Sequence, residues 1–443
     1  MRRPNILHVT WHDCGRFLGC HGRAPVSTPR VDALAAGGMR FTNYWSVSPV
    51  CSPARVAALT GRWPQRAGVY GLCHAPWNYG LAPEVPHLAR RLAEAGWHSA
   101  LIGWQHETTH ERVGELGFHE IHLNDPLPPC SVVAPFAADW LRRRATQPRP
   151  FFLQLGFSEI HRPHDADGTP PDSPDQVWLP PWLADTPTHR RELAQQQGMI
   201  RRADAALGQV LDALREAGLE RDTLVIFTGD HGVEMPRAKW TCYDAGLEIP
   251  LIIRWPAGGL AAGTTCDALL SNLDFTPTLL DWLGLPGADA LDGASFAPAL
   301  RGEIISGRDA VFSFFFADHS RAIRTATHKL IWHPEPVRWQ PAPHGASDAA
   351  PALWPHVEFF DLRADPLESR NLSAIRPAAM RGRGATIPGE REATEVENYL
   401  LARLRAWLRA TDDPILHRSA DSPFAAESRA GLGLSRPVAE PTR

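Results

Sequence analysis

Lysine is almost missing from this chain of 443 residues: of its 45 basic residues only Lys239 and Lys329 are lysines, and the rest are arginines. Abundant Ala, Pro and Gly point the same way, to a GC-rich genome, and raise the question of what two lysines kept against that bias do. Cysteine is sparse too. The seven cysteines stand at positions 14, 20, 51, 73, 130, 242 and 266 with no CxxC pair, which argues against a zinc ribbon or a disulfide framework. Most are expected to be small buried apolar residues, with one of them reactive. No apolar run approaches the roughly 18 residues of a membrane helix. After Arg2 and Arg3 the first apolar stretch runs only from Ile6 to Trp11 and contains His8, too short for a secretory leader, so a cytoplasmic location is expected. An excess of one charge is also lacking. The net charge of -4 asks for neither nucleic acid nor an anionic membrane as partner.

What is present is an ordinary globular composition, 44% hydrophobic and 21% charged, long enough for one large domain or two to three smaller ones. Apolar runs alternate with amphipathic stretches, which predicts α/β layering. Strands are expected at Asn5 to Trp11, His98 to Gly103, Phe151 to Phe157, Thr223 to Thr228 and Pro250 to Trp255. Helices are expected at Arg30 to Ala36, Ser52 to Thr60 with a Ser N-cap and Pro53 at N1, Pro86 to Ala95, Thr188 to Ala217 and Thr276 to Leu283. Beyond residue 308 the texture changes to short strands (Val311 to Phe316, Ala322 to Arg324, Leu330 to Trp332, Val357 to Phe360) and one helix from Thr394 to Ala410. The division expected is a main α/β domain over 1–308, a smaller antiparallel α+β domain over 309–412, and an extended arm over 413–443 that could reach a neighbouring subunit in a homo-oligomer. The segments 334–356 and 376–392 read as loops.

Chemistry gathers at strand ends. The first strand finishes in His12-Asp13 and the central one in Asp230-His231, each followed by a glycine turn. Ligand sites of α/β sheets lie outside the carboxyl ends of strands. Two such pairs could converge on one divalent cation, although either pair alone would serve equally well as a turn cap. A third element, Cys51-Ser52-Pro53-Ala54-Arg55 followed by Leu59-Thr60-Gly61-Arg62, puts a cysteine at a helix N-terminus, where backbone N–H groups and the dipole favour an anion. Arg55 adds a planar donor fork one turn on. Read by itself, this suggests a nucleophilic thiolate beside an anion site.

C-S-P-A-R followed by L-T-G-R resembles the signature of the sulfatase family in the alkaline phosphatase superfamily. The segments R-P-N-I-L, T-L-V-I-F-T-G-D-H-G, A-K-W-T-C-Y-D-A-G-L-E-I-P and F-F-D-L-R-A-D-P-L-E-S-R-N-L are similar to sulfatase segments, in sulfatase order, from about residue 3 to about residue 412. F-F-L-Q-L-G-F-S-E-I-H-R resembles the sulfamidase (heparan N-sulfatase) branch. The resemblance implies an alkaline-phosphatase-like fold, with a large mostly parallel sheet flanked by helices and a smaller C-terminal antiparallel domain. It also implies hydrolysis of a sulfate ester or sulfamate.

By the same resemblance Cys51 would be converted to formylglycine by a formylglycine-generating enzyme, and its diol would be held, with the sulfate, by Arg55. The cation, Ca²⁺ by family, would be bound by Asp13, Asp230, His231, residue 51 and His12. Lys239 would contact the sulfate, His161 would sit near the leaving-group oxygen, and His106 would act as base on the second diol hydroxyl. Two positions depart from the family pattern. His12 stands where the family has a second Asp, which softens the site and leaves room for Mn²⁺ or Zn²⁺. Trp104 replaces a lysine, and Arg16 is the candidate to make good that charge. A phosphodiester or phosphonate monoester hydrolase of the same superfamily is the alternative, and a non-catalytic binder of anionic glycans is a third reading. His74, His110, His164 and His319 are pocket candidates, though each reads more simply as a loop or surface histidine. Lys329 has no assigned role, so its replacement by arginine is expected to be nearly silent.

Overall fold

The structure is a computed structural model. It describes residues 3–164, 168–317, 319–333, 357–373 and 390–416, without the side chains of 390–394. The expected loop 334–356 lies outside these residues, as do nearly all of the loop 376–392 and the arm beyond 416.

Strands β1 (Asn5–Trp11), β2 (Met39–Phe41), β3 (Tyr44–Trp45), β4 (His98–Gly103), β5 (Glu120–His122), β6 (Phe151–Phe157), β7 (Thr223–Gly229), β8 (Leu251–Arg254), β9 (Thr264–Cys266) and β10 (Leu270–Ser271) belong to the main domain. Eight of them form one sheet in the order β5-β4-β6-β1-β7-β8-β2-β9, while β3 and β10 pair separately. The five strands from β5 to β7 are mutually parallel; β8 runs antiparallel to both its neighbours. The helices are α1 (Pro29–Ala36), α2 (Cys51–Thr60), α3 (Leu88–Glu94), α4 (Cys130–Arg144), α5 (Pro187–Glu216), α6 (Asp244–Leu247), α7 (Phe275–Trp282), α8 (Ala297–Leu300) and α9 (Glu390–Ala410). Side chains of β1 alternate between two cores. Leu7, Val9 and Trp11 pack with α1, α4 and α5 on one face, and Ile6 packs with α3 and α7 on the other. This sandwiching of a parallel sheet accounts for the continuous apolar runs of the central strands.

Two expectations need correction. Helix α2 begins at Cys51, not Ser52, and Val50 is its uncapped, extended N-cap. The Ser52 hydroxyl accepts instead from the Cys73 backbone N–H at 3.1 Å. Helix α4 was not expected; Pro135 lies inside it and interrupts the periodic signal.

The smaller unit is a four-stranded antiparallel sheet, β11 (Val311–Phe314), β12 (Arg321–Arg324), β13 (His328–Trp332) and β14 (Val357–Asp361). Leu400, Leu404, Trp407 and Leu408 of α9 cover it. Buried Arg321 grips Asp413 with two bonds of 2.9 and 2.8 Å. Lys329 also corrects its expectation. It is fully buried and ion-paired to Asp244 at 2.8 Å and Glu368 at 2.9 Å, tying the small sheet to the main domain.

Candidate active site

The register of the sheet assembles the site. Trp11 is level with Phe157 of β6 and Gly229 of β7, and Gly103 of β4 is level with Gly156. Four neighbouring strands therefore end together, releasing residues 104–107, 158–161, 12–13 and 230–231 along one rim. Backbone bonds hold these ends in place: His12 N–H to Glu159 O at 3.0 Å, Ile160 N–H to His12 O at 2.7 Å and Trp104 N–H to Gly156 O at 3.0 Å. Asp13 adopts a left-handed φ of 54°, which costs a non-glycine residue on the order of 1–3 kcal/mol and is held by its surroundings. Its N–H donates to Asp230 Oδ1 at 2.9 Å, as does the N–H of His231 at 2.9 Å. Helix α2 brings Cys51 to this rim. The Trp240 N–H, bonded to Pro49 O at 3.1 Å, docks the Lys239 loop beside it.

At the centre, one ligand atom each from His12, Asp13, Cys51 and Asp230 lie within 4.8 Å of one another, all on buried residues. His231 Nε2 is 3.2 Å from Cys51 Sγ and 3.1 Å from Asp13 Oδ1. Its Nδ1 lies 2.9 Å from Gly232 O, which fixes a proton there and turns the Nε2 lone pair inward. Both ring nitrogens of His12 and Asp13 Oδ1 are buried without a hydrogen bond. His12 Nδ1 comes within 2.9 Å of Asp13 Oδ1, but not aligned to donate. Lone-pair atoms turned on a common point are what a cation site requires, so the residues fit a divalent ion.

The cluster's own charges say the same. Burial lowers the affinity of His12 for a proton, but Cys51, Asp13 and Asp230 override it and push the imidazole up to about 10. Burial raises the Cys51 thiol, yet His12, Lys239 and His231 hold it well below its usual range. Burial brings His106 down to about 4, only partly opposed by Cys51, so its ring is neutral.

Around this core, Arg55 Nε donates to Asp230 Oδ2 at 3.0 Å, and Arg55 Nη2 is buried without a partner. Lys239 Nζ donates to Asp13 Oδ2 at 2.6 Å and to Glu234 at 3.2 Å. The His161 ring lies 4.8 Å from that of His12. His106 belongs with His12 and Cys51 to a second set of ligand atoms mutually within 4.8 Å. All nine site residues expected from the sequence are thus brought together.

A sulfatase family model matches residues 4–285. The chain belongs to the sulfatase family. It is 30% identical to human N-sulphoglucosamine sulphohydrolase over 336 residues, 68% of this chain and 67% of that protein. It is 30% identical to human arylsulfatase A over 450 residues, 84% of this chain and 83% of that one. Solved structures share its fold at low identity. One described as in complex with its substrate D-glucosamine-2-N,6-O-disulfate has a TM-score of 0.70 at 19% identity, covering 95% of this chain and 99% of that one. The phosphonate monoester hydrolase of Agrobacterium radiobacter has a TM-score of 0.67 at 23% identity, covering 91% and 96%. The sulfatase sheet and its small antiparallel companion are therefore the alkaline-phosphatase-like fold that the motifs implied, and the chain is a sulfuric ester hydrolase.

Arg16 does not replace the missing lysine. It donates to Glu248 and to Ile249 O, away from the nucleophile. The exposed His74 is close to the site, its ring stacked on that of His106 at 5.2 Å. His164 is buried rather than superficial, and burial brings it down to about 3. His319 is buried beside Phe315 and Phe316. His110 stays exposed, bonded to Asn124 at 3.2 Å. Two carboxylates were missed. Glu107 is fully buried 4.0 Å from Arg55, and Glu234 shares a set of ligand atoms with Asp13 and His161. Glu107 directly follows His106, and Glu234 precedes Lys239 by five residues, so position beside known motifs was the available signal.

Proposed function

We propose that this sulfatase works through a formylglycine made from Cys51 and a single divalent cation held by His12, Asp13, Asp230, His231 and residue 51. The observation that carries this reading is the set of ligand atoms from His12, Asp13, Cys51 and Asp230 gathered within 4.8 Å of one another, with the His12 nitrogens and Asp13 Oδ1 unbonded. A bound cation would supply Lewis-acid polarisation and favour the ionised form of the attacking hydroxyl. The side chains do the rest. One diol hydroxyl of residue 51 attacks sulfur and the bond from sulfur to the leaving oxygen or nitrogen breaks. Arg55 and Lys239 offset the charge that spreads over the sulfuryl oxygens. His161 or Lys239 delivers a proton to the leaving atom. Neutral His106 then takes the proton of the second hydroxyl, the C–O bond to sulfate breaks, the aldehyde re-forms and water hydrates it.

A sulfated sugar is the proposed substrate. Support comes from the names of the relatives above and from the stacked rings of Trp77 and Phe316 (5.8 Å) and of Phe316 and Trp240 (5.9 Å) near Lys239. The nitrogen ligand at position 12 brings Mn²⁺ and Zn²⁺ into contention with Ca²⁺, and metal analysis of the active protein decides among them. A reducing, cytoplasmic setting belongs to the same proposal, in keeping with seven unpaired cysteines. Mass analysis of the peptide containing residue 51, alongside sulfate release from sulfated sugars, tests the mechanism. Full activity with an unmodified thiol would overturn it.

Trp104 favours a second reading as well. Its indole lies 6.1 Å from the His12 ring and 5.1 Å from that of His106, and its N–H is buried without a partner. It offers a neutral donor where the family pattern has a cation, which suits monoanionic centres. A sulfate ester is one, and so is a phosphonate monoester. Turnover of aryl sulfate against aryl phosphonate separates the two.

A further inference from the structure

A second cavity, of about 290 Å³, shares no lining residue with the constellation above. It lies where the turn after Asp13, the segment 237–248 and the small-domain residues 324 and 366–368 meet. Four arginines line it: Arg16, Arg23, Arg237 and Arg324. Each is held over an aromatic face, Arg324 and Arg16 over Trp45 (3.9 and 5.8 Å), Arg237 over Tyr243 (4.3 Å) and Arg23 over Trp178 (4.7 Å). Guanidiniums fixed in this way lose little further freedom when they bind a ligand.

The charge there is not balanced. Four lining arginines face three lining carboxylates, Asp244, Glu248 and Glu368, and two of these carboxylates are also paired to the buried Lys329 behind the wall. Burial pushes Glu368 up to about 7, which weakens its share. Arg16 is only 10% exposed, yet its Nη2 has no hydrogen-bond partner, and neither does the buried Nε of Arg23. Burial lowers the proton affinity of Arg16, and the like charges of Arg23 and Arg324 add to the effect against the pull of Glu248. Buried donors left unpaired in a net positive, solvent-reachable cavity call for an acceptor that carries negative charge.

We infer that this cavity is a second oxyanion site, which takes a sulfate group on Arg16 and Arg23. The oxyanion chemistry stands on the cavity alone. The choice of sulfate, rather than another tetrahedral anion, rests on the proposed catalytic function. The sulfate can be free anion, the product of turnover, or a further sulfate group of a polysulfated glycan.

Calorimetric titration of the full chain with sodium sulfate at low ionic strength tests it. The wild type is expected to bind at two sites. Lys239→Met impairs the catalytic site and keeps the second. Arg16→Gln/Arg23→Gln weakens the second roughly tenfold or more, from the loss of two charged donors. Arg23→Gln alone, which breaks a 3.5 Å pair with Glu248 and the contact with the Trp178 ring, gives the same direction if the double variant does not fold. Repeating the titration with a sulfated hexasaccharide identifies the source. Tighter binding than sulfate, lost in the arginine variants, assigns a glycan sulfate, and equal binding assigns the free anion. Unchanged sulfate binding in folded arginine variants, or no binding in Lys239→Met, overturns the inference. Aryl sulfate turnover in the same samples shows separately whether the catalytic reading stands.

Discussion

Replacing Lys239 by arginine keeps the charge and changes only its shape, so it asks whether the site needs a compact cation. The ammonium is 3% exposed, with Asp13 Oδ2 at 2.6 Å, Glu234 at 3.2 Å and the Trp240 ring 5.6 Å away. A guanidinium is larger and planar, and its fork would pair with Asp13 side-on. Overpacking of this kind costs about 1–3 kcal/mol. Asp13 is the residue that would yield, being already strained at φ 54° and part of the proposed cation site. If that cost falls on the transition state, at about 1.4 kcal/mol per factor of ten, kcat/KM should fall by roughly fivefold to a little over a hundredfold. Lys239→Met should lose more, roughly 10²–10³-fold, the usual effect of removing one group that stabilises developing charge. Initial rates on an aryl sulfate give the answer once the converted fraction of residue 51 is measured in each sample. Activity of Lys239→Arg within threefold of wild type would refute the placement of the sulfate.

Cys51→Ala and Asp230→Ala should each reduce sulfate release to background, and residual turnover in either removes that residue from the mechanism. Trp104→Lys restores the charge of the family pattern. It should raise activity on dianionic phosphate monoesters relative to sulfate esters, and an unchanged ratio argues against a role for the indole N–H. Lys329→Met leaves the buried Glu368 without its cation, while Asp244 keeps Arg324 at 3.1 Å, and breaking a buried pair costs about 3–5 kcal/mol. A clear fall in melting temperature is therefore expected, and a melting curve like that of wild type would contradict it. Glu368 has a folded-state pKa raised to about 7 from 4.5, so it binds a proton more tightly when folded. Its contribution to stability is full below about pH 4.5 and is lost as pH rises through 7. The melting temperature of wild type minus that of Glu368→Gln should accordingly fall between pH 4.5 and 7.5, and a flat difference counts against the shift.

Much of the site was legible because its residues follow strands whose boundaries the apolar runs mark. Asn5 to Trp11 emerged as expected and Thr223 to Thr228 one residue longer, to Gly229, and a parallel register then brings Asp13 and Asp230 together. Short strands such as Met39–Phe41 and Glu120–His122 left no such mark, because three residues carry no periodicity. Lys329 and Arg16 were misread for another reason. Lys329 owes its role to Asp244 and Glu368, and Arg16 to Glu248, all distant in sequence. The left-handed φ of Asp13 and Trp240 was equally hidden, since local propensity argues against it and only tertiary contacts impose it.

The burial of Cys51 imposes an order of events. Its side chain is 2% exposed at the head of α2, beneath the Lys239 loop. A modifying enzyme cannot grip the flanking C-S-P-A-R segment once that helix has formed and packed. Under the proposed chemistry the thiol must be converted before the chain folds. A molecule that folds first is then committed to inactivity until it unfolds, and the active fraction of any preparation records the outcome of a race between modification and folding.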